Sequence, residues 1–166
     1  TFDNLPYDNY TLKEVTPPDG YAVGMEVEGY DVTVDADGKP TIEISLDADV
    51  DGKEIELTIE NKKLDRSVKL IKTQLNNPTR FLKGAEFKLL KKDSTDDFVP
   101  VLGKENHTTN EDGEIYIDEL VPGDYQLVET KAPSGYRLDT TPVEFEIDEN
   151  QTETKEVKKE NRRIPP

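Results

Sequence analysis

The chain has 166 residues, a formal net charge of −16, 35% charged and 33% hydrophobic residues, and no cysteine. That balance offers no basic face for nucleic-acid phosphates and no attraction to anionic membrane. No apolar run approaches the length of a membrane span, and disulfides cannot staple the fold, so the chain is either intracellular or stapled in some other way. The length suits one large or two small domains, and the apolar residues are patterned rather than scattered, which points to thin β-domains with small cores.

Taken in order, residues 1–21 read as the end of a turn, a strand over Tyr10–Val15, and a turn at Pro17-Pro18-Asp19-Gly20. Alternate residues of a strand share a face, so Glu14 points the same way as Tyr10 and Leu12, toward the core. Next come Tyr30–Val34, a turn at Asp35-Ala36-Asp37-Gly38, and Thr41–Leu46; Asp-Gly between alternating runs signals a hairpin. A strand is expected over Glu54–Asn61, with Ile55, Leu57 and Ile59 on one face and Asn61 next on it. Lys62–Arg66, short and charged, reads as a domain junction.

The second half opens with a strand at Ser67–Thr73, in which Val68, Leu70 and Lys72 share a face and Lys69 looks outward. A polar loop is expected through Asn76-Asn77-Pro78, then a strand over Gly84–Leu90. Residues 91–113 read mostly as loop, and Glu114–Leu120 as a strand. Tyr125–Lys131 follows, with Tyr125, Leu127 and Glu129 inward, and turns at Pro133-Ser134-Gly135. Pro142–Ile147 and Thr152–Glu160 form a last pair ending at Asn161. Helical periodicity is weak throughout, so the predicted fold is an all-β sandwich.

The stretch around Glu129 repeats the one around Glu14 without gaps. Asp3, Leu5, Tyr10, Leu12, Glu14, Pro18, Gly20 and Tyr21 match Asp118, Leu120, Tyr125, Leu127, Glu129, Pro133, Gly135 and Tyr136. A buried carboxylate is costly unless paired or neutral. Two of them at equivalent places read as a built part; the alternative is that both sit at strand ends and reach water. The predicted domains are 1–63, lacking its N-terminal part, and 64–163, with 164–166 a linker or the start of a sorting signal.

Lys72, Glu129 and Asn161 thus occupy apolar-face positions at strand ends, and Glu14 and Asn61 hold two of the equivalent places in the first copy. Lys69 competes with Lys72, but strand parity favours Lys72. A desolvated lysine is a nucleophile, and an Asn amide becomes an electrophile when its carbonyl accepts a strong hydrogen bond, which a protonated glutamic acid can donate. The three together can form a Lys–Asn isopeptide bond with loss of ammonia; they can equally form a buried, hydrogen-bonded ion network with no covalent bond.

Val68-Lys69-Leu70-Ile71-Lys72, Leu82–Phe87, the Tyr-x-Leu-x-Glu-Thr-x-Ala-Pro-x-Gly-Tyr string at Tyr125–Tyr136 and the terminal Glu160-Asn161 together resemble the collagen-adhesin B-type (CnaB) domain, a module of Gram-positive adhesin stalks and sortase-assembled pili. The Glu129 string resembles the E-box of pilins. The resemblance implies tandem Ig-like sandwiches, an amine at Lys72, an amide at Asn161 and an acid/base at Glu129. It implies the same catalytic role for Glu14 and a crosslink at Asn61, whose lysine should lie before residue 1. It further implies a cell-wall-anchored, surface or fimbrial location. The implied partners are other pilin subunits or peptidoglycan through sortase. No cofactor, metal, nucleic acid or membrane insertion is called for, and no enzymatic activity beyond the single-turnover crosslink. A β-sandwich adhesin binding a host surface protein directly is the alternative.

Three weaker signals complete the reading. Asp47–Gly52 imitates half of a calcium loop but lacks its closing Glu, so an acidic turn is expected. His107, the single histidine, is expected in a solvated loop. Ile164-Pro165-Pro166 reads either as a spacer or as the opening of a sortase signal.

Overall fold

The computed structural model describes residues 1–166, and these divide into two compact units, Thr1–Leu64 and Asp65–Pro166. The division falls one residue beyond the boundary expected from sequence. No helix is long and apolar enough to cross a membrane.

Unit 2 contains nine strands: β6 (Val68–Gln74), β7 (Asn77–Phe81), β8 (Glu86–Lys92), β9 (Phe98–Pro100), β10 (Asn106–Thr108), β11 (Glu114–Ile117), β12 (Gly123–Lys131), β13 (Val143–Ile147) and β14 (Lys155–Asn161). One sheet has the order β10-β8-β12-β13, with β9 on β8; the other has the order β11-β6-β14, with β7 on β6. Alternation sends Val68, Leu70, Phe87, Leu89, Leu127 and Ile147 into the core, where each is at most 1% exposed. Tyr125 and Phe145 stack at 5.4 Å between ring centroids, and the Tyr125 hydroxyl donates to the Val121 carbonyl at 2.5 Å. The unit is thus an all-β sandwich.

Strands β6 and β14 are paired in parallel, Val68 against Lys155 through Gln74 against Asn161. Parallel neighbours need a long crossover, and here the whole unit supplies it.

Unit 1 contains β1 (Asp8–Lys13), β2 (Tyr21–Val27), β3 (Thr33–Val34), β4 (Pro40–Leu46), a 3-10 turn at Ala48–Val50, and β5 (Ile59–Lys63). The sheets are β1-β4-β3 and β2-β5. A small core of Met25, Val27 and Ile42 is packed by Leu12, Tyr30, Val32, Ile44 and Leu57.

Several elements differ from the sequence expectation. Glu54–Asn61 was expected as one strand, but pairing begins only at Ile59, because β2 ends at its partner Val27 and residues 54–58 have no strand beside them. Ile55 (38%), in the unpaired stretch, and Ile59 (45%), on the first rung of β5, are exposed, not inward. Of Tyr30–Val34 only Thr33 and Val34 pair. Strand β2 was not anticipated; its alternation is broken at Gly24, which has φ 135° and lies in a register shift between Tyr21 and Met25. The loop at Asn76–Pro78 is a hairpin turn into β7, with Asn76 at φ 62°, and β9 and β10 interrupt the loop expected over 91–113. His107 lies half-buried on β10 rather than in a solvated loop, its ring Nε2 2.8 Å from the Lys104 carbonyl oxygen. Ile164 is tied to unit 2, its amide donating to the Gly135 carbonyl at 2.9 Å.

Candidate functional site

Three side chains meet at one end of the unit 2 sandwich. Lys72 lies near the end of β6 and Asn161 ends β14, so both come from one sheet; Glu129 comes from β12 in the facing sheet. Parity places them inward. Lys72 and Glu129 are 0% exposed and Asn161 is 1% exposed. The ladder against β8 shifts register just after Glu129, between Glu129 and Lys131, so the strand is irregular where it delivers the carboxylate.

The Lys72 Nζ stands 3.8 Å from Glu129 Oε1, an ion contact too long to be a hydrogen bond. Its nearest acceptor is the Lys159 carbonyl at 3.3 Å. Glu129 Oε2 accepts from Asn161 Nδ2 at 2.9 Å and from the Asp139 backbone N–H at 3.0 Å. Asn161 Nδ2 also donates to the Arg137 carbonyl at 2.9 Å. Two buried atoms have no hydrogen-bond partner, Glu129 Oε1 and Asn161 Oδ1. The amide nitrogen, not the carbonyl oxygen, therefore meets the carboxylate, which reverses the expected bond from the acid to the carbonyl. The reason is local: the Arg137 carbonyl and Glu129 Oε2 are both acceptors, and only an NH2 group satisfies them together. Burial, against the opposing pull of Glu129 and with help from the neighbouring Lys159 ammonium, lowers the pKa of Lys72 to about 8.

The backbone around the triad is braced. Lys72 N–H donates to the Gly113 carbonyl at 2.8 Å, and the Leu82 N–H donates to the Lys72 carbonyl at 2.9 Å. Gly113 has φ 71°, and a Cβ there would lie 2.7 Å from the Lys72 carbonyl oxygen. At the far end, Leu75 N–H donates to the Asn161 carbonyl at 2.9 Å. Asn161 is paired with Gln74, whose side-chain oxygen accepts from the Tyr136 hydroxyl at 3.0 Å.

Sequence reasoning missed a second charged pair beside the triad. Lys159 is 8% exposed; its Nζ lies 3.0 Å from Asp139 Oδ2 and donates to the Thr141 carbonyl at 2.8 Å. The Asp139 carboxyl is held at a pKa of about 2, chiefly by hydrogen bonds from Thr141, with Lys159 adding to the effect. Parity held the signal for Lys159, which shares its face with Asn161; nothing in the loop sequence marked Asp139. Lys69 stands outside the site, half-buried, with Glu114 at 3.6 Å.

Unit 1 repeats part of this arrangement. Asn61 Nδ2 donates to Glu14 Oε2 at 2.7 Å, to the Gly24 carbonyl at 2.9 Å and to the Ala22 carbonyl at 3.3 Å. The Gly24 N–H donates to Glu14 Oε1 at 3.3 Å. Ala22 and Gly24 stand where Arg137 and Asp139 stand in unit 2. The surrounding backbone agrees: Tyr21 faces Lys63 as Tyr136 faces Arg163, and Leu64 N–H donates to the Gly20 carbonyl at 2.9 Å as Ile164 does to Gly135. Tyr10 even donates to the Pro6 carbonyl at 2.8 Å, matching Tyr125. Glu14 and Asn61 are only half-buried, and no lysine pairs with Glu14.

No group of three His, Cys, Asp or Glu residues is placed to hold a metal. In the acidic turn, Asp47 Oδ1 accepts from the Asp49 N–H at 2.9 Å, so it caps the 3-10 turn.

A streptococcal ancillary pilin is 34% identical to this chain, over 98% of it and 44% of the pilin, with a TM-score of 0.50. The pilus adhesin RrgA of Streptococcus pneumoniae shares the fold at 21% identity, over 76% of this chain and 18% of its own, with a TM-score of 0.52. BcpA, the major pilin subunit of Bacillus cereus, does so at 23% identity, over 95% and 58% of the two chains, with a TM-score of 0.50. The chain thus spans less than half the length of the ancillary pilin it resembles. No protein of curated function matches it. Residues 1–50 and 66–161 match the SpaA family model, described as a prealbumin-like fold domain, and with most of the sequence so matched the chain belongs to that family.

Proposed function

We propose that the chain is a stalk or shaft segment of a Gram-positive pilin or surface adhesin. In this reading unit 2 closes itself with an isopeptide bond between Lys72 and Asn161, and Glu129 is the acid/base. The observation that carries the crosslink is the triad itself: an amine, an amide and a carboxylic group, all buried at one point, with one carboxylate oxygen and the amide oxygen lacking a hydrogen-bond partner. Static burial of such a group is a cost, and reaction removes it.

Lys72 passes a proton to Glu129 Oε1, which becomes the acid, and the neutral Nζ attacks Asn161 Cγ. A C–N bond forms, the carbonyl π electrons move to Oδ1, and Glu129 then gives its proton to the departing Nδ2. The Cγ–Nδ2 bond breaks, and ammonia leaves with the second proton lost by Nζ. Folding holds the reactants together, so proximity lowers the barrier without added substrate, and turnover stops at one. The likeness to an ancillary pilin supports the setting: a surface location, with other pilin subunits, or the cell wall through sortase, as partners. A net charge of −16 at neutral pH keeps such a segment soluble and self-repelling.

The test is intact mass under denaturing conditions. The wild type should weigh about 17 Da less than its sequence mass, one ammonia, and Glu129→Ala should show no deficit. A wild type at full mass would sink the covalent reading.

A further inference from the structure

Unit 2 carries a second polar site at the end of the sandwich that holds the triad, beyond Lys72 along β6. Several stretches of chain converge there on an open pocket of about 470 Å³. The end of β6 and the hairpin into β7 give Gln74, Asn77 and Arg80; the turn after β12 gives Ser134 and Tyr136; the chain beyond β14 gives Arg163. The backbone holds these stretches in register. Gln74 is paired with both Asn161 and Asn77, Tyr136 is bridged to Arg163, and the Ile164 N–H donates to the Gly135 carbonyl at 2.9 Å.

The lining has one chemical character. No carboxylate faces the pocket. The Tyr136 hydroxyl donates to Gln74 Oε1 at 3.0 Å, and the Thr79 hydroxyl donates to Asn77 Oδ1 at 3.1 Å. Both amide oxygens are thereby occupied, and both NH2 groups are left as donors. The guanidiniums of Arg80 and Arg163 have no partner in an ion pair, since every ion pair of the protein is made by a lysine. Ser134 adds an exposed hydroxyl. A cation would find no negative ligand here, and an apolar body would find little apolar wall. In a chain of net charge −16 most of the surface turns anions away, so a pocket rich in donors and free of carboxylates stands apart from its surroundings.

The geometry points to an oxyanion-binding site. It takes one phosphate or carboxylate group of a ligand on Arg80 and Arg163, with the Gln74 and Asn77 amides donating to the same group. The two ligand chemistries share what the pocket offers, because a planar guanidinium fork grips two oxygens of either. None of these donors belongs to the triad, so the site is separate from the crosslinking chemistry.

The test is a titration of the whole 166-residue protein, followed by heteronuclear NMR at the side-chain NH2 signals of Gln74 and Asn77 and the Nε–H signals of Arg80 and Arg163. Sodium phosphate and sodium succinate are the two probes. Each is compared with sodium chloride at one ionic strength, about 0.15 M, which screens the background charge. At least one probe should shift these signals to saturation where chloride does not, and the one that saturates at the lower concentration identifies the group the site takes. Arg80→Gln and Arg163→Gln should each weaken that binding by about tenfold, the loss of one charge-assisted contact. Both side chains are exposed, so these variants keep the fold. Shifts no larger than those of chloride with both probes overturn the inference, as does undiminished binding in the double variant. The intact-mass test of the crosslink reads other groups, so either proposal can fail alone.

Discussion

Asn61 and Asn161 make nearly the same bonds. Each gives its amide hydrogens to a glutamate and to the backbone carbonyl one residue beyond a tyrosine. What differs is the far side of the glutamate. In unit 2 it is closed by Lys72 and by β6 with all its rungs; in unit 1 it is half-open, and Ile59 and Gly24 stand where unit 2 has Lys159 and Asp139. The glutamate–asparagine contact is thus a local product of one hairpin and one returning strand. Full burial of the glutamate goes with the presence of the lysine strand: Glu129 is 0% exposed, Glu14 only half-buried. Half of the machinery can be built without the other half.

The largest expected effect breaks unit 2 at the triad. Without the bond, as in Asn161→Ala, unit 2 should lose the stabilisation of a crosslink closing a loop of about 90 residues, roughly 4–5 kcal/mol. Glu129→Ala should fall as far or farther, because it also strands the buried Lys72, at about 3–5 kcal/mol. Thermal or denaturant unfolding reads both. Asn61→Ala should cost far less, about 1–2 kcal/mol, since it removes only half-buried hydrogen bonds and no covalent closure. Between these lies Gly113→Ala, which drives a methyl against the Lys72 carbonyl at a positive φ. It should cost about 1–3 kcal/mol and slow ammonia loss when unfolded protein is refolded and quenched at intervals.

The pH dependence sharpens the same comparison. In the proposed mechanism the proton that Glu129 delivers comes from Lys72, whose pKa is lowered to about 8. Above that pH the proton is gone and Glu129 cannot act as the acid. The crosslinking rate during refolding should therefore fall as pH rises through about 8, whereas a lysine acting alone would speed up. Lys159→Gln removes a neighbouring ammonium that favours the neutral amine, so the falling limb should move to higher pH by a fraction of a unit. That is the smallest effect, and a purely structural Lys159 would not produce it.

Strand parity made Lys72 and Glu129 legible, because each interrupts an apolar alternation on a strand paired on both sides; the signal was weaker for Asn161, which lies on an edge strand with Val157 and Lys159 as its same-face neighbours. The same rule misplaced Ile55, which has no neighbouring strand to hold its face, and Ile59, which stands on the first rung of a two-stranded sheet. Strand β2 was hidden by Gly24, whose bulge breaks the period of two. Asp139 gave no sign, because its role rests on a backbone N–H and a loop carboxylate, neither of which has a periodicity to read. The amide orientation at Asn161 depended on the Arg137 carbonyl, which no side-chain pattern reveals.

The parallel seating of β14 on β6 has a mechanical consequence. Tension along the chain enters unit 2 at the start of β6 and leaves at the end of β14, which are opposite ends of the pair. The two strands are therefore pulled in shear, and their rungs must yield together rather than one by one. With Lys72 joined to Asn161, the path of the force runs through that bond. The chain between them is then relieved of extension, and the unit transmits a pull without lengthening.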